Sequence, residues 1–303
     1  MKRIFLYLCL PLVSFVLLAS CIKENLDDCE RCKLTFSYTG DVDYDIFPQQ
    51  IKCVSLYVYD QNDGLVTTKR IEQNDLAKYQ GTKLNLSPGT YRVVGVGNDN
   101  EATEVYNADL NKPMSEVHFR HPHAYDGIVD GHANDSLYLG QKTITIPSDY
   151  WYEDDVPFRS SHLKVSYTVI GYVDAQPTRV ESLLELRVNN LLPQTDFNNR
   201  AHGEKTTYEP TLTVNPKEGK HEGYFNIMRH TKDSDVEFEL VDKASQEVVH
   251  TLKLKDFLAK FPQVDVSKQE VLIPIIVEFK NIGVTVTIPD WMIHDVTPDY
   301  GNK

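Results

Sequence analysis

Residues 33–38 read Lys33-Leu34-Thr35-Phe36-Ser37-Tyr38, and residues 54–64 read Val54-Ser55-Leu56-Tyr57-Val58-Tyr59-Asp60-Gln61-Asn62-Asp63-Gly64. In the first, apolar side chains fall at every second position, so an extended chain puts Leu34, Phe36 and Tyr38 on one face. In the second, Val54, Leu56 and Val58 share a face, and five turn-forming residues then reverse the chain into residues 65–71. Alternation followed by a tight turn predicts a β-hairpin.

The same period recurs outward from this hairpin. Ser87-Pro88-Gly89 is a turn that launches an inner strand holding Val93, Val94 and Val96. Leu163, Val165, Tyr167 and Val169 alternate cleanly, as do Leu184, Leu186 and Val188, and then Val236, Phe238 and Leu240. Val271, Ile273, Ile275, Val277 and Phe279 form one face of a long strand, after which Ile282-Gly283 turns into Val284, Val286 and Ile288. Two segments break the rule. Residues 73–79 suit a short helix, and Leu254, Phe257, Leu258 and Phe261 follow a helical spacing that Pro262 ends. An all-β protein of two tandem β-sandwiches is expected, residues 33–155 and 156–303, with the boundary in the acidic, proline-bounded stretch 147–157.

Composition removes some functions. With 31 Lys and Arg against 44 Asp and Glu, the net charge of −13 argues against a nucleic-acid partner, which needs clustered cations to displace counterions. No H-E-x-x-H helix, G-x-S-x-G elbow or phosphate-cradling glycine loop occurs, so neither an enzyme nor a cofactor is indicated. Gly95-Val96-Gly97 lacks the third glycine and the helix of a dinucleotide site.

The N-terminus carries an address. Met1-Lys2-Arg3, a largely apolar run over residues 4–18 and then Ala19-Ser20-Cys21 make a secretory signal over residues 1–20, too short for a membrane span. Leu18-Ala19-Ser20-Cys21 matches the bacterial lipobox, with Cys21 as the lipidation site and a tether over residues 21–32. Ile22 is not the aspartate of inner-membrane retention, and residues 23–28 are acidic overall. The expected location is the outer membrane, lipid-anchored, at the cell surface, with outer-membrane lipid as a partner through the acylated cysteine.

Of the remaining cysteines, Cys29, Cys32 and Cys53 are disulfide candidates. A bridge from Cys29 or Cys32 to Cys53 is expected in an oxidising compartment. Metal-type residues crowd at His118, His121, His123 and His132, with Asp126 and Asp130. Their spacing fits no zinc motif, and Pro122 forbids a helix that would align His118 with His121, so no metal is expected. Asp135-Ser136-Leu137 has the form of an O-glycosylation triplet at Ser136.

The lipobox cysteine, the polar tether, Cys32-Lys33-Leu34-Thr35-Phe36-Ser37-Tyr38, Val54-Ser55-Leu56-Tyr57-Val58-Tyr59-Asp60 with Asp63-Gly64, and Pro88-Gly89-Thr90-Tyr91 together resemble the FimB-type fimbrial anchor family of type V pili. The resemblance covers most of the chain after the signal and is carried by the N-terminal half. It implies two transthyretin-like sandwiches, a non-enzymatic adhesive role and a fimbrial stalk subunit as partner. In such pili an Arg-specific protease strips the first strand of each stalk subunit, and a donor strand from the next subunit fills the groove. An anchor keeps its lipid and its first strand, here Leu34, Phe36 and Tyr38. No Lys or Arg occurs in residues 40–51, where that cut would fall. The C-terminal strands, Val271 to Phe279 and the donor segment Val284, Val286 and Ile288 with Trp291, are then the donating side. Alternatives are a stalk or tip subunit of the same pilus, or a monomeric surface lipoprotein that binds glycans or metal.

Overall fold

The computed structural model describes residues 31–109, 112–126, 133–148, 151–172, 182–215 and 217–293. Among them the strands run, in chain order, β1 (Cys32–Ser37), β2 (Val54–Asp60), β3 (Leu65–Ile71), β4 (Gly81–Leu84), β5 (Gly89–Gly97), β6 (Glu104–Tyr106), β7 (His118–Arg120), β8 (Tyr138–Ile146), β9 (Tyr152–Ser160) and β10 (His162–Ile170). They continue as β11 (Leu184–Leu191), β12 (Gln194–Asp196), β13 (Ala201–His202), β14 (Thr206–Tyr208), β15 (Thr213–Asn215), β16 (Lys220–Met228), β17 (Glu237–Asp242), β18 (Val248–Lys253), β19 (Leu272–Lys280) and β20 (Gly283–Thr287). The expected helices are present at Gln73–Lys78 and Leu254–Lys260. No helix among the described residues is long and apolar enough to cross a membrane.

The first half is one seven-stranded sheet, ordered β3-β2-β5-β8-β9-β1-β4. Its hairpin turn forms as the sequence predicts: the Asp60 carboxylate accepts from the Asn62 and Gly64 amides, and Asp63 takes the left-handed conformation. Leu34, Phe36, Leu56, Val93, Ile144 and Phe158 line a single core, so the sheet wraps around its own inner face. The outer face of β2, β5 and β8 is buried as well. Tyr57, Tyr59, Val94, Val96 and Leu139 pack there against Phe119 and Phe197, which belong to or follow a small sheet ordered β13-β12-β7-β6. Burial on both sides explains why β2 and β5 read as nearly continuous apolar runs.

The second half is a sandwich. A five-stranded sheet, β15-β16-β10-β19-β20, faces a four-stranded one, β14-β11-β17-β18. The alternating residues named from the sequence fill the space between them, with Leu163, Val165, Tyr167, Ile273, Ile275 and Val277 almost wholly buried. Leu254, Phe257 and Leu258 of the helix close one end of this core. In both halves the first strand runs parallel to the last long strand, β1 beside β9 and β10 beside β19.

The boundary lies later than expected. Most of the stretch 147–157 is not a linker but the start of β9, and the chain leaves the first sheet only at Ser160, with Ser161 between β9 and β10. Asp154 and Asp155 tolerate a strand because their carboxylates are met by Lys142, Tyr152, Thr35 and Ser37. Pro157 stands where β9 ends its pairing with β1 and begins, at Phe158, its pairing with β8.

Phe158 sits on bare backbone. Gly95 of β5 lies opposite Gly140 of β8, and a Cβ on either would come within 2.7 Å of the Phe158 ring. Gly140→Ala is expected to cost about 1–3 kcal/mol by forcing that ring out of its place. Equilibrium denaturation in urea, with the slope unchanged and the midpoint lowered, is the measurement.

Candidate functional site

β1 is an interior strand. Its residues pair parallel with β9 over residues 32–37 and 152–157, and antiparallel with the short edge strand β4 over residues 32–35 and 81–84. Leu34, Phe36 and Tyr38 are 0%, 1% and 2% exposed. The Phe36 ring meets both Phe47 and Phe158, at centroid distances of 5.9 and 5.5 Å. Stripping β1 would therefore open a groove between β4 and β9 with an apolar floor.

The connection that follows β1 is clasped at two points. Asp45 accepts from the amides of Tyr38 at 2.9 Å and Phe47 at 3.0 Å, and its other oxygen takes the Gln80 side chain at 2.6 Å. Asp41 reaches the second half, where it accepts from the backbone of Gln269 and Glu270. Asp41 and Asp45 thus hold this connection down, a role the sequence did not reveal.

The end of β1 is joined to the second half through Glu270. One oxygen of this half-buried carboxylate accepts from the hydroxyls of Tyr38 at 2.6 Å and Tyr138 at 3.0 Å, and the other takes Lys164 at 2.6 Å. Burial alone would raise the pKa of Glu270, yet the hydrogen bonds from Lys164 and Tyr38 hold it below the usual carboxylate range. Burial, with Glu270 beside them, pushes both tyrosines far above theirs. Nearby, the Arg229 guanidinium donates to the carbonyls of Ser160, Val266, Lys268 and Gln269. Buried His162 donates from Nδ1 to the Leu137 carbonyl at 2.9 Å.

At the other end of the chain, β20 is the edge of the five-stranded sheet, paired with β19 over residues 276–280 and 283–287. Ile282 is 97% exposed and Val284 37%, whereas Val286 packs on the core and Ile288 is buried. Trp291, in the short helix Asp290–Ile293, is 63% exposed. The expected donor strands are thus folded back within the chain. β19 cannot serve as a free donor, because β10 and β20 flank it and Ile273, Ile275 and Val277 are fully buried.

Cys21, Cys29, His132 and Asp130 lie outside the described residues. Cys32 and Cys53 are both buried free thiols, so the Cys32 to Cys53 form of the expected bridge is not made. β5, β8 and β9 stand between β1 and β2 in the sheet; Cys32 faces the core, while the Cys53 sulfur lies 3.0 Å from the Arg70 guanidinium. Burial raises both thiols, Cys32 to about 11. The histidines diverge: His118 lies against Tyr106 and His202, while His121 packs beside His123 and Tyr208. Among the described residues no three His, Cys, Asp or Glu are grouped to hold a metal ion. The Ser136 hydroxyl accepts from Asn226.

A family profile for the fimbrillin-A associated anchor proteins Mfa1 and Mfa2 matches residues 26–297. This chain belongs to that family. Fimbrillin-A associated anchor proteins are pilus-associated structural proteins, in keeping with the resemblance seen in residues 21–91. The fimbrial anchor protein Mfa2 from Porphyromonas gingivalis superposes with a TM-score of 0.66 at 11% identity, covering 84% of this chain and 94% of that one. An adhesin candidate from Bacteroides ovatus gives 0.71 at 18% identity, over 85% and 94%. A candidate polysaccharide-binding protein from Bacteroides thetaiotaomicron gives 0.70 at 14%, over 86% and 96%. At such identities the likeness is one of fold. Comparison with curated proteins finds no match.

In a fimbrillin-A associated anchor protein the junction between the halves should respond to acid. Burial lowers His162 from 6.5 to about 4, so the folded state excludes a proton that the unfolded chain binds. Its stability contribution is complete above pH 6.5 and is lost as pH falls toward 4, by about 3 kcal/mol. Glu270, held low, adds a loss of the same sign only below the ordinary carboxylate range. Urea midpoints followed from pH 7 to pH 3 should fall throughout. His162→Gln should reduce the slope above pH 4 without abolishing it, because burial also lowers His118, His230 and His250, and should leave the part below pH 4.

Proposed function

We propose that this protein is the membrane-held terminal subunit of a type V pilus: an outer-membrane lipoprotein acylated at Cys21 that keeps its first strand and joins a stalk subunit by strand complementation at its C-terminal edge. The observation that carries the reading is the placement of β1. It is fully paired and buried in the first sheet, and it is followed by a connection without Lys or Arg over residues 40–51 that Asp41 and Asp45 hold down. A subunit whose first strand stays paired offers no groove to a neighbour and ends the polymer. It also keeps the N-terminal lipid joined to the folded protein. Arg31 precedes β1, so cleavage there would release the lipid without opening a groove.

Complementation then falls to the C-terminal edge. β20 is held by five paired positions with β19, and no second strand among the described residues pairs with it. On this proposal β20 and the segment after it leave β19 and the Lys260 ammonium that meets the Val286 carbonyl, and enter the groove of a stalk subunit, with alternate side chains such as Val284 and Val286 filling its pockets. The exposed Ile282 and Trp291 flank the strand that moves. The two free thiols play no part, and no catalytic residue is assigned.

Radiolabelled palmitate should enter the wild-type protein and not Cys21→Ala; a labelled, membrane-bound variant would refute lipidation at Cys21.

A cleavable peptide inserted between Asp43 and Tyr44 should leave pili attached until the matching protease is added, and then release them. N-terminal sequencing of the native surface protein provides the contrary result: an end within residues 40–51 would mean that β1 is removed, as in a stalk subunit.

A further inference from the structure

A cavity of about 1150 Å³ opens where the end of β9 meets the second half, lined by Arg159, Ser160, the turn after β12, the segment after β16, and the end of the helix Leu254–Lys260. Six cations line it against three carboxylates, a local excess of positive charge in a chain whose net charge is −13. A concave site of one sign within a protein of the other concentrates ligands of the opposite charge.

Four of the cations are already engaged. Arg229 is spent on backbone carbonyls, Arg200 pairs with Asp196, and Lys205 and Lys255 share Asp235. Arg159 and Lys232 are exposed and have no side-chain partner among the described residues. They come from separate segments, β9 and the chain after β16, so they do not converge on one small anion. A second hollow of about 180 Å³ continues past Arg159, Asn198 and Asn199, which makes the site a groove.

The neutral groups narrow the chemistry. The Asn199 side-chain amide donates to the Ser160 carbonyl at 3.0 Å, which fixes its orientation and leaves its oxygen buried without a partner. The Ser234 hydroxyl, which also lines the cavity, is buried and unpartnered too. An amide oxygen needs a donor, which a hydroxyl supplies and a carboxylate does not, whereas free guanidinium and ammonium groups need an anion. A chain of sugars bearing carboxylates offers both.

We propose that this groove binds an acidic oligosaccharide, of the uronic or sialic acid class, with its carboxylates on Arg159 and Lys232 and its hydroxyls toward Asn199 and Ser234. The groove uses neither β1 nor β20, so the assignment stands apart from the terminal-subunit reading. Calorimetric titration of the full chain with a galacturonic acid tetramer should show binding that weakens as salt rises. Maltotetraose, inorganic phosphate and tetraglutamate should each bind at least about tenfold more weakly. The Arg159→Ala, Lys232→Ala double variant should lose about tenfold or more in affinity with its melting temperature unchanged, since both side chains are exposed. Asp233→Asn should bind more tightly. Equal binding of tetraglutamate would make the groove a general polyanion site, and equal binding of maltotetraose or phosphate, or unaltered affinity in the double variant, would likewise overturn the assignment.

Discussion

A single carboxylate ties the two halves together. Glu270 takes two tyrosine hydroxyls from the first half and an ammonium group from the second, so one partly buried side chain satisfies three polar groups at the junction. Without Glu270 the buried Tyr38 hydroxyl would lose its acceptor, so the contact favours the docking in which all three groups meet. Asp41 reinforces the same seam through backbone amides at Gln269 and Glu270, and Arg229 closes it from the other side through carbonyls. Because Tyr38 directly follows β1, the position of the first strand and the docking of the second half are set together.

Much of the fold was legible because its strands obey simple alternation. Leu163 to Val169, the Asp60 turn and the helix ended by Pro262 each carry a local signal that packing does not need to override. β9 was not legible, and the reason is specific. Its residues read as acidic linker because the groups that neutralise Asp154 and Asp155 lie on β1 and β8, distant in sequence. Pro157 reads as a breaker, yet it occupies the point where the strand changes partners. The small sheet of β6, β7, β12 and β13 has strands of two or three residues, too short for a period to show.

The candidate sites divide in the same way. The first strand could be named from Leu34, Phe36 and Tyr38, and the lack of cations after it was a property of sequence alone. Asp45 is met partly by near neighbours, but its Gln80 partner and the Gln269 partner of Asp41 lie 35 and 228 residues away, which no local pattern encodes. The Cys32 to Cys53 pairing failed for a related reason: proximity of Cys32 to a strand start says nothing about how many strands intervene before Cys53. The cationic groove is the extreme case, since its charges come from several separated segments and leave no cluster in the sequence.

The parallel pairing of β1 with β9 bears on mechanics. In a subunit tethered at its N-terminus, tension enters the fold at the Cys32 end of β1 and runs along the strand axis. Six residues of β1 are then loaded side by side against β9, with four of them also against β4, and the bonds must yield together rather than one after another. The same hydrogen bonds peeled from an end would break singly under far smaller force. Under a pull from its N-terminus, the strand that begins the fold is therefore oriented as a shear joint.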